Sequence, residues 1–170
     1  NLWPEATVVG VDRRYQTASK DVLTIHEANF GPAVVLDLSR GHHAVDVLRR
    51  QGPFSICQIS SPCQEFRPGR SQEHLAELFF TASWIAVQLQ IPIVIHEQVP
   101  AVLQSEGVWP RVQHLWRTSG VAWRAMTPCA DQCGVPQKRT RVFIVAMRRE
   151  DANDERLDKR LGSLQRAVAA

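Results

Sequence analysis

Nowhere in the 170 residues does an apolar run approach the roughly 20 that a membrane-spanning helix needs, so no spanning helix and no membrane partner is expected. Cysteine is scarce: Cys57, Cys63, Cys129 and Cys133 are too few to staple a chain of this length, which excludes a disulfide scaffold and points to a reducing compartment. Cys129 and Cys133 have the look of half a zinc site. Their spacing exceeds the common knuckle and no nearby His completes a tetrahedron, so loop thiols and no metal are expected. Repeats, low-complexity stretches and long linkers are absent. With 44% hydrophobic and 22% charged residues, the composition is that of a soluble globular domain and excludes a disordered chain. Asn1-Leu2-Trp3-Pro4 has no basic region leading into an apolar one, so no signal peptide is expected, and the lack of an initial Met points to trimmed residues.

Charge is mild, net +3, but unevenly spread. Residues 1–110 carry 8 basic and 11 acidic side chains; residues 111–170 carry 12 basic and 6 acidic. A basic C-terminal part suits phosphates, and equally a solvated helical face.

Apolar runs of strand length alternate with helical stretches. Strands are predicted at 6–12, 32–38, 54–60, 91–96, 121–126 and 141–147, and helices at 15–29, 42–50, 72–89, 112–118 and 151–169. This alternation predicts an α/β fold, a mostly parallel sheet with helices on both faces, in a single domain with its core over 6–148 and a helical tail over 151–169. Ligands in such sheets sit at the C-terminal strand ends. Asp12, Asp37, Ser61 to Gln64 and Glu97 therefore fall along one rim.

Four short stretches stand out in order: Pro62-Cys63-Gln64, Glu97-Gln98-Val99, Gly134-Val135-Pro136-Gln137-Lys138-Arg139-Thr140-Arg141, and Val142-Phe143. Each alone is weak; a thiol in a loop or a lone Glu after a strand is ordinarily structural. Together they resemble the cytosine-C5 DNA methyltransferases, whose pattern runs Pro-Cys-Gln, Glu-Asn-Val and Gly-Val-Pro-Gln-x-Arg-x-Arg-Val-Phe. The resemblance covers roughly residues 6–148 and implies a Rossmann-like methyltransferase fold, DNA as partner and S-adenosylmethionine as cofactor.

Cytosine C5 is a poor nucleophile, and a thiolate adding at C6 makes it enamine-like. The resemblance assigns the thiol to Cys63, an acid at N3 and the exocyclic amine to Glu97, and the base carbonyl and a phosphate to Arg141 with Arg139 beside it. It assigns the cofactor's ribose to Asp12 and its adenine amine to Asp37, with Leu38, Pro62 and Leu75 lining the same pocket. A helix N-cap is the alternative for Asp12.

The pattern is incomplete. Its opening strand and Phe-x-Gly-x-Gly loop, and the recognition region after the Arg-x-Arg strand, have no counterpart here, and cofactor binding by this chain is expected to be weak. Gln98 stands where the family has Asn, and Ser61 where Pro is frequent. Three readings stay open: a truncated or split catalytic domain completed by another subunit or a second copy, an inactive fragment, or a binding and assembly module. The expected setting is cytoplasmic or nucleoid-associated, prokaryotic or phage-like.

Overall fold

The structure, a computed structural model, describes residues 7–12, 19–63, 66, 73–149 and 159, without the side chains of 19–23 and 73–75. Ten elements follow in chain order: β1 (Gly10–Asp12), α1 (Ser19–Asn29), β2 (Ala33–Val35), α2 (Gly41–Arg49), β3 (Ile56–Ile59), α3 (Glu73–Gln88), β4 (Ile93–Gln98), α4 (Trp109–Thr118), β5 (Val121–Met126) and β6 (Val142–Arg148). Short 3-10 turns occupy Pro100–Gln104 and Ala130–Cys133.

Local chemistry explains the element ends. α3 closes with Gln90 in the left-handed region (φ 55°), the Ile91 N–H donating to the Ala86 carbonyl and the Gln90 N–H to that of Val87. This is a Schellman-type cap, and Pro92 forbids further helix. α4 opens with Pro110 in its first turn and ends before Gly120, whose φ of 68° favours glycine. Trp109, Val112 and Trp116 recur at helical spacing on α4 and form its buried stripe.

The strands form two sheets: a pair, β1-β2, and a four-stranded sheet in the order β3-β4-β6-β5. β1–β2 and β3–β4 pair in parallel. β6 runs antiparallel to both β4 and β5. Only the segment 127–141 joins β5 to β6, with no crossover helix, and such a return gives an antiparallel pair. The α/β class stands, with the parallel pairings concentrated in the first four strands.

Along β4 and β6 side chains alternate between faces. Val94, Val142, Ile144 and Ala146 meet Phe79 and Ala86 of α3 and the α4 stripe in the main core. Trp109, Trp116 and Trp123 are in mutual ring contact there, with centroids 4.9 to 6.2 Å apart. On the opposite face Ala122 and Met147 pack with Ile93, Met126 and Val145. α2 lies beside α3, and Leu36, Ala44, Val45, Leu48 and Ile85 form a separate, smaller core under β2.

The strands of the pair are shorter than predicted, Gly10–Asp12 and Ala33–Val35 instead of 6–12 and 32–38. Among the described residues each has a single partner strand, which leaves one side of each without ladder bonds. β4 runs two residues beyond the predicted His96, because β6 keeps pairing as far as Gln98↔Val142. The helix predicted at 151–169 lies outside the described residues save Lys159, as do the first four residues of the 15–29 stretch.

Candidate active site at a shared strand rim

β3 and β4 are parallel, so their C-terminal ends coincide; β6 is antiparallel to β4 and begins where β4 ends. The registers Ile59↔His96 and Gln98↔Val142 bring three segments to one rim: the 60–63 loop, Glu97-Gln98 and Arg141. The Cys63 loop, Glu97 and Arg141 thus share a rim, whereas Asp12 and Asp37, expected along the same rim, lie at the end of the separate β1-β2 pair.

Arg141 Nε lies 3.0 Å from Glu97 Oε1, the side chains being 22% and 24% exposed, which leaves the pair within reach of a ligand. Arg141 Nη1 also donates to the Thr140 carbonyl at 2.9 Å. Ser60 Oγ donates to Glu97 Oε2 at 2.7 Å, so each carboxylate oxygen has its own donor. Behind the rim, Gln98 is buried. Its Nε2 donates to the Ser61 carbonyl at 3.0 Å, with Ser61 Oγ at 3.2 Å and the Pro62 carbonyl at 3.4 Å, and its Oε1 accepts the Val99 N–H. The amide where the family has Asn thus reaches the loop carrying Cys63. On the far side of Cys63, its carbonyl accepts the Phe66 N–H at 3.2 Å, and the Phe66 ring packs edge-on against Phe79. The half-buried Cys63 therefore sits in a loop pinned before and after it. Gln64 lies outside the described residues.

The other thiol near this sheet differs. Burial pushes the Cys57 thiol up to about 11, so it stays protonated at neutral pH and is inert as a nucleophile. His96, next to Glu97 but facing the core, is fully buried between Phe79 and Trp116. Ser83 Oγ donates to the Phe79 carbonyl, so its contact with His96 Nε2 at 3.3 Å has the imidazole N–H as donor. Among the described residues Nδ1 has no hydrogen-bond partner, and burial lowers the imidazole to about 3.

Arg139 is not brought to Glu97; its side chain is exposed on the loop before β6, while its backbone pairs with Ala130 and Gln137. Asp12 ends β1 and Asp37 follows β2, at the C-terminal end of the parallel pair. Asp37 Oδ1 accepts both the Ser39 N–H at 3.0 Å and Ser39 Oγ at 2.7 Å, a local turn that fixes the carboxylate. Leu38 packs against the smaller core, and Pro62 is half-buried in the loop that carries Cys63. Leu75 falls in the first turn of α3, its side chain outside the described residues. Sequence reasoning missed Ser60. Its signal was the register, since Ser60 follows Ile59 as Glu97 follows His96. Among the described residues, no group of three or more His, Cys, Asp or Glu could hold a metal ion, and no helix is long and apolar enough to cross a membrane.

The sequence profile described as C-5 cytosine-specific DNA methylase matches residues 15–166. No curated protein matches the chain in sequence. Among solved structures, it is similar to a DNMT2 mutant of Spodoptera frugiperda (20% identity, TM-score 0.63), covering 83% of this chain and 42% of that one. It is also similar to a prophage-encoded DNA modification methyltransferase of E. coli (20% identity, TM-score 0.64; 86% and 42% covered). A third is the Entamoeba histolytica methyltransferase EhMeth (15% identity, TM-score 0.57; 82% and 44% covered). At these identities the likeness is one of fold, and the chain spans less than half the length of each.

Proposed function

The chain belongs to the C-5 cytosine-specific DNA methylase family, and we propose that it is the part of a DNA cytosine-C5 methyltransferase that carries the nucleophile. The observation that supports this best is the Glu97–Arg141 pair beside the pinned Cys63 loop. In this reading a cytosine leaves the duplex stack and enters the rim. The Cys63 thiolate adds to C6, and Glu97 hydrogen-bonds N3 and the exocyclic amine as charge moves into the ring. Arg141 holds the carboxylate and offers its remaining donors to the base carbonyl, with Arg139 free to meet a phosphate. S-adenosylmethionine, when bound, supplies an electrophilic methyl group. The donor set fits it: Asp12 and Asp37 end neighbouring parallel strands, where carboxylates can accept from ribose hydroxyls and the adenine amine, and Leu38, Pro62 and Leu75 would add apolar lining. Once C5 carries the methyl group, water acting as base takes the C5 proton, and its bonding pair re-forms the C5–C6 double bond as the C6–S bond breaks and frees the Cys63 thiolate. With DNA as substrate, the protein works in the cytoplasm or at a nucleoid, in a prokaryotic or phage setting. The single partial catalytic domain over 1–170, with its core at 6–148 and tail at 151–169, is part of the same proposal.

The test uses the full chain, S-adenosylmethionine and a duplex containing 5-fluorocytosine, whose fluorine blocks release of the thiol. The expected product is an adduct on Cys63 that survives denaturation, absent in Cys63→Ser and retained in Cys57→Ser. An adduct on another cysteine, or undiminished reaction in Cys63→Ser, overturns the mechanism. Absence of any adduct, both with the chain alone and with an added complementing subunit, favours the non-catalytic assembly module.

A second reading concerns partners. Among the described residues, β1 and β3 each end a sheet, and Val8, Val11 and Ile56 on or beside them are exposed. These edges suit an added strand from a complementing subunit or a second copy. A dimer in sedimentation supports the second copy, and activity that appears only with an added subunit supports the first. A monomer active alone overturns both.

A further inference from the structure

We propose that Ser60 is a positioning residue that sets the plane of the Glu97 carboxylate for the base; the proposal rests on the methyl-transfer reading above. Ile59 pairs with His96 in the parallel β3–β4 ladder, so Ser60 falls opposite Glu97 and Ser61 opposite Gln98. Side chains alternate across the sheet, which sends the two pairs to opposite faces. Ser61 and Gln98 meet on the core side, where Gln98 is buried, while Ser60 and Glu97 meet on the accessible side.

Glu97 is thus gripped at both oxygens: Oε1 by Arg141 Nε at 3.0 Å and Oε2 by Ser60 Oγ at 2.7 Å. One donor alone would act as a pivot, because the last torsion of a Glu side chain is soft. Two donors from different strands fix it. The plane matters because N3 and the exocyclic amine lie side by side on one edge of cytosine, and one carboxyl group meets both only when coplanar with the ring. A hydroxyl is also suited to a group that shares a proton, since it donates to a carboxylate and accepts from a carboxylic acid by rotating. Ser60 is exposed, so a threonine methyl has room there.

The test compares the full-length wild type with Ser60→Ala and Ser60→Thr in two arms. The first is independent of methyl transfer: solvent exchange of the Arg141 Nε–H, read by NMR. It should speed up several-fold in Ser60→Ala, where Glu97 swings on its remaining contact, and return in Ser60→Thr; a residue that only supports the fold would not produce this pattern. The second arm is the rate of adduct formation with the 5-fluorocytosine duplex. Ser60→Ala should slow it by about 10- to 100-fold at unchanged duplex affinity, the scale of a misplaced catalytic group, with Ser60→Thr close to wild type. Equal exchange in wild type and Ser60→Ala overturns the proposal, as does an undiminished adduct rate in Ser60→Ala. If the wild type forms no adduct either alone or with an added complementing subunit, the methyl-transfer reading fails and the exchange arm alone decides whether Ser60 holds Glu97.

Discussion

Trp116, Val112 and Ile144 in the four-stranded region are at most 1% exposed, whereas Val11, Val35 and Phe30 around the β1–β2 pair are 36%, 46% and 62% exposed. Among the described residues, the first region buries a core of twelve on one face of its sheet, and the core beneath β2 has five. Parallel strands are ordinarily covered on both faces, and two strands alone are marginal. The candidate catalytic side chains therefore stand on a base that holds itself, and the candidate cofactor carboxylates on one that is only half covered. Rigidity lies beneath the candidate nucleophile and acid, whose proposed chemistry needs placement within tenths of an ångström. The open strands are the natural place for a further element or ligand to add stability.

This contrast can be broken or sharpened by mutation. The largest expected effect is Trp116→Ala, which empties the ring cluster between α4 and the sheet and should cost about 3–5 kcal/mol in urea unfolding. A loss below about 1 kcal/mol would show that this core does not carry the molecule.

Acid should attack the same region next. His96 is neutral in the folded protein, its imidazole lowered by burial from 6.5 to about 3. Between those values the unfolded chain takes up a proton that the folded one refuses, so stability is full above pH 6.5 and falls as pH drops toward 3. By pH 4 the loss should be about 3 kcal/mol. Urea unfolding at pH 7 and pH 4 should show a smaller difference in His96→Gln than in wild type.

A smaller effect, at the joint between core and site, is expected for Gln98→Ala. It strips the Ser61 and Pro62 carbonyls of their donor and should cost about 1–3 kcal/mol. Formation of the Cys63 adduct should slow more than the stability loss explains, since the loop loses its anchor. Smallest of all, Val11→Thr on the exposed edge should stay within about 0.5 kcal/mol. Native-state hydrogen exchange should complete the ranking, with the Leu36 amide, bonded to the Asp12 carbonyl, opening well before that of Ile144.

Much of this was legible in the sequence, for physical reasons. Apolar runs such as Ile91 to Ile95 and Val142 to Val145 can do little except form strands, and the chemistry-bearing residues sit where those runs stop. Cys63, Glu97 and Arg141 were therefore placed by strand ends and motif together. Pairing partners were not legible. Nothing local says that β6 reverses direction between β4 and β5, or that β1 and β2 stand apart from the other strands, because both depend on contacts distant in sequence. The Ser60–Glu97 contact was hidden for the same reason: it exists only once Ile59 is known to face His96. The left-handed Gln90 was also missed, since glycine usually signals that cap and here the Schellman bonds hold a longer side chain in its place.

The three clustered indoles have an optical consequence. Trp109, Trp116 and Trp123 lie close enough to share excitation energy, and the His96 ring is 5.7 Å from Trp116. Trp84, stacked edge-on with His42, sits apart on α3. No tryptophan lies in β1, α1 or β2. Three of the five tryptophans thus watch the sheet that carries Cys63 and Glu97, while Trp84 packs against the smaller core under β2. With Trp3→Phe and Trp84→Phe in place, a melt followed by emission would time the collapse of that sheet, and any earlier loosening of the pair would register in far-ultraviolet dichroism. The gap between the two curves would measure how far apart in stability the two parts of one site lie.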